Sequence, residues 1–230
     1  MKPWRVKGWV IPPFQNGNFV ADMEYVLDVY KRPYNEHIPL VCMDESPKQL
    51  IRETRTAIPM KPGQPLREDY EYERCGVINV FLASEPLMGK RFIEITERKT
   101  KLDWANFIRK IADEWYKDAS KIILVMDNLV THKSGALYEA FEPAEAKRIR
   151  DRFEFVYTPK HGSWLNMAEI ELNVLMNRCL NRKIDNIDTI QREANAWQKY
   201  RNSKESTINW QFTTDDARIK LKRLYPTIVE

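Results

Sequence analysis

Cysteine is rare in this chain, long apolar runs are missing, and neither sign of charge dominates. Each of these excludes a class of protein. The three cysteines, Cys42, Cys75 and Cys179, stand far apart with no Cys-x-x-Cys pair, a pattern that suits neither a zinc site nor a disulfide framework. They read as reduced core residues. The longest apolar stretch of note, Ile122 to Met126, is far short of the roughly 20 residues that cross a bilayer. The start, Met1-Lys2-Pro3-Trp4, has no signal-peptide core. A soluble, cytoplasmic protein with no membrane partner is therefore expected. Internal repeats and low-complexity tracts are also missing, which removes solenoids and coiled coils.

With 37 Lys and Arg against 33 Asp and Glu, the net charge of +4 is too mild to argue for a nucleic-acid partner by itself. Its distribution says more. Basic residues gather in Lys2 to Lys7, Lys48 to Arg67, Arg178 to Lys183 and Arg218 to Arg223, each of which suits a solvated face or a phosphate contact equally well. At 230 residues and 43% hydrophobic, the chain can build one well-buried domain.

The turn-forming residues Pro3, Pro12, Pro13, Asn16, Gly17 and Asn18 predict an extended lead-in. Phe19, Met23, Val26, Leu27 and Tyr30 then recur at helical spacing. Leu40-Val41-Cys42-Met43-Asp44 reads as a short buried strand ending in an acid. From Ser46 to Arg74 the prolines and charges predict a long loop, and loops of that length in compact domains are usually functional. Strands are expected at Cys75 to Leu82 and Arg91 to Ile95, then a helix over Leu102 to Tyr116 and a strand at Lys121 to Met126, also ending in an acid, Asp127. Helices at Ser134 to Phe141 and Pro143 to Arg150 precede a strand at Phe153 to Tyr157 and a helix from Trp164 to Leu180. Two more helices are predicted at Asp188 to Tyr200 and Asp215 to Leu224, the latter capped by Thr213.

The order βββαβαβα is that of an α/β, ribonuclease H-like mixed sheet flanked by helices. It divides the chain into a linker and lead-in helix at 1–33, a catalytic domain at 34–185 with the long loop at 46–74, and a C-terminal helical extension at 186–230. In such a sheet the first and fourth strands are neighbours. Asp44 and Asp127 would then meet, with the helix carrying Glu169 packed over them. Most acidic residues simply lie in water, but an aspartate closing a buried apolar strand is costly unless it has a purpose. Clustered carboxylates repel, and a divalent cation with hard oxygen donors relieves the repulsion, so Mg²⁺ or Mn²⁺ is expected. Two such ions can activate the attacking oxygen and stabilise the leaving one in phosphodiester cleavage. On the last core helix Leu165, Ala168, Leu172, Leu175, Met176 and Cys179 form the apolar stripe. Glu169 lies at its edge beside Asn166 and Asn173, whereas Glu171 falls on the opposite flank, toward Arg178.

At these residues the sequence resembles the transposases of the mariner superfamily, in particular the bacterial insertion-sequence family numbered six hundred and thirty. The match is carried by Val41-Cys42-Met43-Asp44-Glu45, by Val125-Met126-Asp127-Asn128 with His132 following, and by Thr158-Pro159-Lys160-His161-Gly162-Ser163-Trp164-Leu165-Asn166-Met167-Ala168-Glu169. The likeness continues through Phe212-Thr213-Thr214-Asp215. It implies a catalytic and metal-binding triad of Asp44, Asp127 and Glu169, two Mg²⁺ or Mn²⁺ ions, and cut-and-paste movement of double-stranded DNA by a homodimer, in the bacterial cytoplasm and on the nucleoid when bound. The spacing from Asp127 to Glu169 is longer than usual for the superfamily, which predicts extra helix around Glu142, Pro143 and Glu145. The helix-turn-helix units of the family are missing ahead of Asp44, so a truncated form or one product of a split or decayed element is expected, which a separate helix-turn-helix polypeptide could complete.

Asn128, His132, Lys160, His161, Asn166 and Asn173 are candidates for contacting DNA or supporting the triad. Lys48, Arg52, Arg55, Lys61 and Arg67 are candidates for a DNA-binding or dimer-clamping loop. His132 has two open readings, a partner of phosphate or active-site water, or a structural histidine bound to a backbone carbonyl. The tryptophans, Trp4 and Trp9 included, are expected in the core or at interfaces. Two other functions remain open at this point: a ribonuclease H-like nuclease without strand transfer, and a decayed or domesticated DNA-binding remnant.

Overall fold

The computed structural model describes residues 14–129 and 132–227. The extended lead-in, the Lys2 to Lys7 cluster, Trp4 and Trp9 lie wholly or mostly outside the described residues. Helix α1 (Gly17–Tyr30) starts at Asn16, whose side chain accepts from Phe19 N–H, and buries Phe19, Val20, Met23, Val26, Leu27 and Val29. The sheet has five strands in the order β3-β2-β1-β4-β5. β1 (Leu40–Glu53), β2 (Tyr72–Glu85) and β3 (Lys90–Thr96) form an antiparallel meander. β4 (Ile122–Met126) and β5 (Phe153–Tyr157) add on in parallel. This is the mixed α/β arrangement expected, with β1 and β4 side by side.

Alternation along the strands sends side chains to two cores. Cys42, Val80, Leu82, Val125 and Val156 face α1 and α5 (Ala168–Arg178). Val41, Met43, Phe81, Leu124 and Met126 face α2 (Lys101–Lys110), α3 (Gly135–Ala140) and α4 (Pro143–Asp151). α2 begins in a Thr100–Asp103 capping box and ends in one π turn, Ile111–Trp115. The extra helix anticipated between Asp127 and Glu169 is α4, with Pro143 in its first turn.

The long loop expected at 46–74 is shorter. β1 runs on to Glu53 and β2 begins at Tyr72, leaving residues 54–71, which themselves pair as a small hairpin through Ile58 with Arg67 and Lys61 with Gln64. Parallel pairing with β4 stops at Cys42, so beyond it β1 pairs with a strand on one flank only, β2, while single bonds from Asn166 to Met43 C=O and from Ile51 N–H to Ile184 C=O hold the other. Pro47, which cannot donate, is tolerated there, and the half-buried polar residues of this wing concealed it in the sequence. A bulge at Leu50/Ile51 lies opposite Gly76, whose φ of 119° only glycine adopts readily.

The edge strand β3 is covered by α6 (Ile187–Ser203). Asn202 accepts from Arg91 N–H and donates to Arg91 C=O, while Gln198 accepts from Ile93 N–H. Side-chain amides thus satisfy backbone groups that an open edge would leave to water or to another chain. α7 (Thr214–Lys220) starts in the expected Thr213 capping box, with Asp216 reciprocating, and Thr214 hydrogen-bonds Asp28 of α1.

Candidate active site

Asp44 lies inside β1, two residues past its last parallel partner, and not at the strand's end as read from the sequence. Its side chain opens on the α5 side, into a cleft of about 280 Å³ shared with Ser46, Ser163, Glu169 and Asn173. Glu169 projects from the first turn of α5, half-buried. Asp127 directly follows β4 and lines an adjoining cleft of about 340 Å³ with Asn128, Thr158, Lys160, His161 and Ser163. Ser163 borders both clefts.

The electrostatics tie the three carboxylates together. Burial, with repulsion from Glu45, Asp127 and Glu169, pushes the Asp44 carboxyl up to about 7, against the pull of a hydrogen bond from Glu45 N–H at 2.8 Å. Burial raises Glu169 as well. Neither Asp44 nor Glu169 has a cationic side-chain partner among the described residues. A buried Asp44 carboxylate repelled by the acids around it, together offering hard oxygen donors, suits a divalent cation. As the side chains lie, no group of three or more His, Cys, Asp or Glu among the described residues is close enough to enclose an ion.

His132 is not a structural histidine bound to a backbone carbonyl through its ring; the ring reaches the Asp127 carboxylate instead. It is 1% exposed and stands between two carboxylates. Nδ1 contacts Asp127 Oδ1 at 2.5 Å, and Nε2 lies 3.2 Å from Glu45 Oε2 but out of line for a hydrogen bond, so that contact is electrostatic. Burial works against a charged imidazole, but the carboxylates outweigh it and raise His132 to about 9. Glu45 is buried yet held below the usual carboxylate range by His132 and by Lys99, whose Nζ is 2.6 Å from Oε1.

The remaining candidates separate by location. Asn128, Lys160, His161 and Asn173 line the two clefts and are exposed; Asn128 is held by Lys133, and His161 sits in left-handed backbone at φ 67°. Asn166 is not on the helix beside Glu169. It is buried ahead of it, donating to Met43 C=O and accepting from Ala168 N–H, and so ties the start of α5 to β1. This is why the helix begins at Ala168 after a separate 3-10 turn at Ser163–Leu165.

Of the basic loop candidates, Lys48 donates to the carbonyls of Leu180 and Arg182 just past α5, Arg52 pairs with Asp185 and Glu73, and Arg55 pairs with Asp69 and Glu71. Lys61 and Arg67 are exposed on the small hairpin. Glu171 faces neither Arg178 nor water. It is 1% exposed and bidentate to Arg91 at 2.8 Å, with Arg201 at 2.7 Å. Helix periodicity alone could not show this, because both partners come from β3 and α6. Sequence reasoning also passed over Glu45 and Lys99 as site residues, although Glu45 stood in the quoted motif.

Comparison with known proteins gives a consistent picture. The family described as DDE superfamily endonuclease matches residues 39–191. No curated protein matches the chain. Among solved structures, the Mos1 mariner paired end complex with Mn is similar at 16% identity and a TM-score of 0.58, over 90% of this chain and 62% of that one. The Mos1 strand transfer complex is similar at 15% identity and a TM-score of 0.59, over 88% and 60%. The Mos1 paired end complex with Mg is similar at 14% identity and a TM-score of 0.55, over 99% and 69%. The first of these shares the fold, and this chain spans 62% of its length.

Proposed function

The chain belongs to the DDE superfamily endonuclease family, and on that premise we propose that it is the catalytic region of a DNA transposase of the mariner superfamily, of the bacterial insertion-sequence branch numbered six hundred and thirty. The observation that carries this reading is the placement of Asp44 and Glu169 on one cleft with Asp127 on the cleft that shares Ser163 with it, Asp44 being largely buried with no cationic side-chain partner among the described residues. Asp44, Asp127 and Glu169 would hold Mg²⁺ or Mn²⁺, two ions per site; the similar Mos1 complexes are described with Mn and with Mg. The metal, when bound, would activate the attacking oxygen and stabilise the leaving oxygen of a phosphodiester.

The chain's own residues contribute position and charge. Exposed Lys160 and His161 beside Asp127 suit a DNA phosphate approaching the clefts. Asn166 holds Glu169's helix against the strand of Asp44. The hairpin at 54–71 carries exposed Ile58, Met60, Leu66 and Tyr70 along with Lys61 and Arg67, a surface suited to a second copy of the chain on paired DNA ends. Helix-turn-helix units, on a longer form of this polypeptide or on a separate one, would supply end recognition, and the setting is the bacterial cytoplasm. Among the described residues no helix is long and apolar enough to cross a membrane. The deciding experiment is joining of a 3′-OH DNA end to target DNA. It should need Mg²⁺ or Mn²⁺ and be lost in Asp44→Ala and Asp127→Ala; cleavage without joining would instead assign a nuclease, and full activity in EDTA would overturn the reading.

A further inference from the structure

We infer that His132 is a positioning residue that fixes the Asp127 carboxylate, and that Glu45 and Lys99 hold His132 in turn. The inference rests on the reading of Asp127 as a metal ligand. Asp127 follows the last residue of β4, and its side chain is 24% exposed. A carboxylate in that position can rotate about two side-chain bonds unless something holds it. Among the described residues, the His132 imidazole is the only group within hydrogen-bonding distance of its oxygens, at Oδ1. With Oδ1 committed, Oδ2 is left for the cleft.

The imidazole is itself packed and flanked by charge. It stacks on buried Trp104 with the ring centroids 5.9 Å apart and the planes at 21°. Its residue's carbonyl accepts from Tyr157 OH at 3.0 Å, and its backbone N–H donates to Leu129 C=O. Its second nitrogen faces Glu45 Oε2, while Glu45 Oε1 is engaged by Lys99. The result is a buried line from a half-exposed lysine to the strand-end aspartate: Lys99, Glu45, His132, Asp127. A histidine needed only to fill space beside Trp104 would not require a carboxylate at each nitrogen, and burying Glu45 is costly unless its charge has a use. Groups that orient a ligating side chain typically change metal affinity by about 10–100-fold when removed.

The test is Mn²⁺ binding to the full chain, followed by the paramagnetic resonance of free Mn²⁺, with thermal melts run alongside. His132→Leu keeps apolar volume against Trp104 but cannot hydrogen-bond. It is expected to weaken Mn²⁺ binding by about 10-fold or more. His132→Asn places an amide N–H near the original Nδ1 and should recover most of the affinity, although it packs worse than leucine. Glu45→Gln keeps shape and should weaken binding several-fold, which provides a second route if His132→Leu does not fold. Recovery by leucine but not asparagine would assign a packing role and overturn the inference, as would wild-type Mn²⁺ affinity in a folded His132→Leu or Glu45→Gln. Wild-type protein that binds no Mn²⁺, or binds it equally well as Asp127→Asn, would overturn the metal reading of Asp127 beneath it.

Discussion

Asp44→Asn should stabilise the metal-free protein above neutral pH. Asp44 in the folded chain titrates at about 7, whereas an aspartate in an unfolded chain titrates near about 4. The folded state therefore keeps a proton that the unfolded state releases, and the wild-type protein loses stability from this group as the pH rises from about 4 to about 7. At about 1.4 kcal/mol per pH unit, the ceiling on that loss is about 4 kcal/mol. Side-chain relaxation and water entry reduce it, and about 2 kcal/mol is a reasonable expectation. Asparagine cannot ionise, yet its amide oxygen can still accept from Glu45 N–H, the bond that Asp44 makes at 2.8 Å. For a chain of this size, about 2 kcal/mol corresponds to a rise in Tm of roughly 4–8 °C.

The assay is thermal unfolding in EDTA at a series of pH values from 5 to 8. The gap between the two proteins should already be open at pH 5, widen up to about pH 7 while the folded wild type keeps the proton on Asp44, and stay level above it. Adding Mg²⁺ should then stabilise wild type, since a ligand that binds only the folded state raises its stability, and should do little for Asp44→Asn. If Asp44→Asn melted at or below the wild-type temperature at pH 8 in EDTA, the claim that buried, repelling carboxylates store an unfavourable charge at this site would be refuted.

Other outcomes follow from the same geometry. Glu169→Gln should abolish DNA cleavage while leaving the melting temperature near wild type, whereas Glu171→Gln should cost about 3 kcal/mol or more by stranding buried Arg91 yet keep activity per folded molecule; nicking assays paired with melts separate the two. Excising residues 55–70, which spares both long strands, should leave the fold intact but impair assembly of paired DNA ends, and unchanged synapsis would exclude the hairpin as a clamp. DNA binding by this chain alone should be weak, show little sequence preference and fall steeply with added salt, as phosphate-dominated contacts require; a salt-resistant band shift on one sequence would contradict it.

Elements with strong internal periodicity were legible in the sequence. β4 is a short apolar run buried throughout and β5 a mostly apolar, partly buried run paired with it in parallel, and α1, α4 and α7 carry their start signals in Asn16, Pro143 and Thr213. What was hidden depended on tertiary partners. The outer half of β1 reads as loop because its residues are polar and only one flank is paired. Glu171 looks like a solvated flank residue on a helical projection, because nothing in α5 reveals that Arg91 and Arg201 arrive from other elements. Asn166 looks like a helix residue until its bond to Met43 is seen. In the candidate site, the choice of Asp44, Asp127 and Glu169 came from apolar runs closed by an acid, from helix projection and from motif, while the contacts of Glu45 and Lys99 came only from coordinates.

The placement of Asp44 and Glu45 has a simple physical origin. Successive residues of a strand face opposite sides of the sheet, so this pair divides one site between two cores. Asp44 shares the parity of Cys42 and opens toward α5 and Glu169, whereas Glu45 shares that of Met43 and is buried toward Trp104 and His132. Asp127 follows the end of β4, where the sheet no longer separates the faces, and the grip of His132 on one of its oxygens comes from the α2 side. A shift of β1 by one residue would exchange the faces of the two acids, turning Glu45 to the α5 side and Asp44 to the α2 side. Register is therefore part of the chemistry, and the elements that pin it matter as much as the acids. Those elements are the antiparallel ladder with β2, the bulge at Leu50/Ile51 and the bond from Asn166 to Met43. Mutations that loosen that register should cost activity before they cost the fold, because the sheet can keep much of its pairing while the two carboxylates lose their assigned faces.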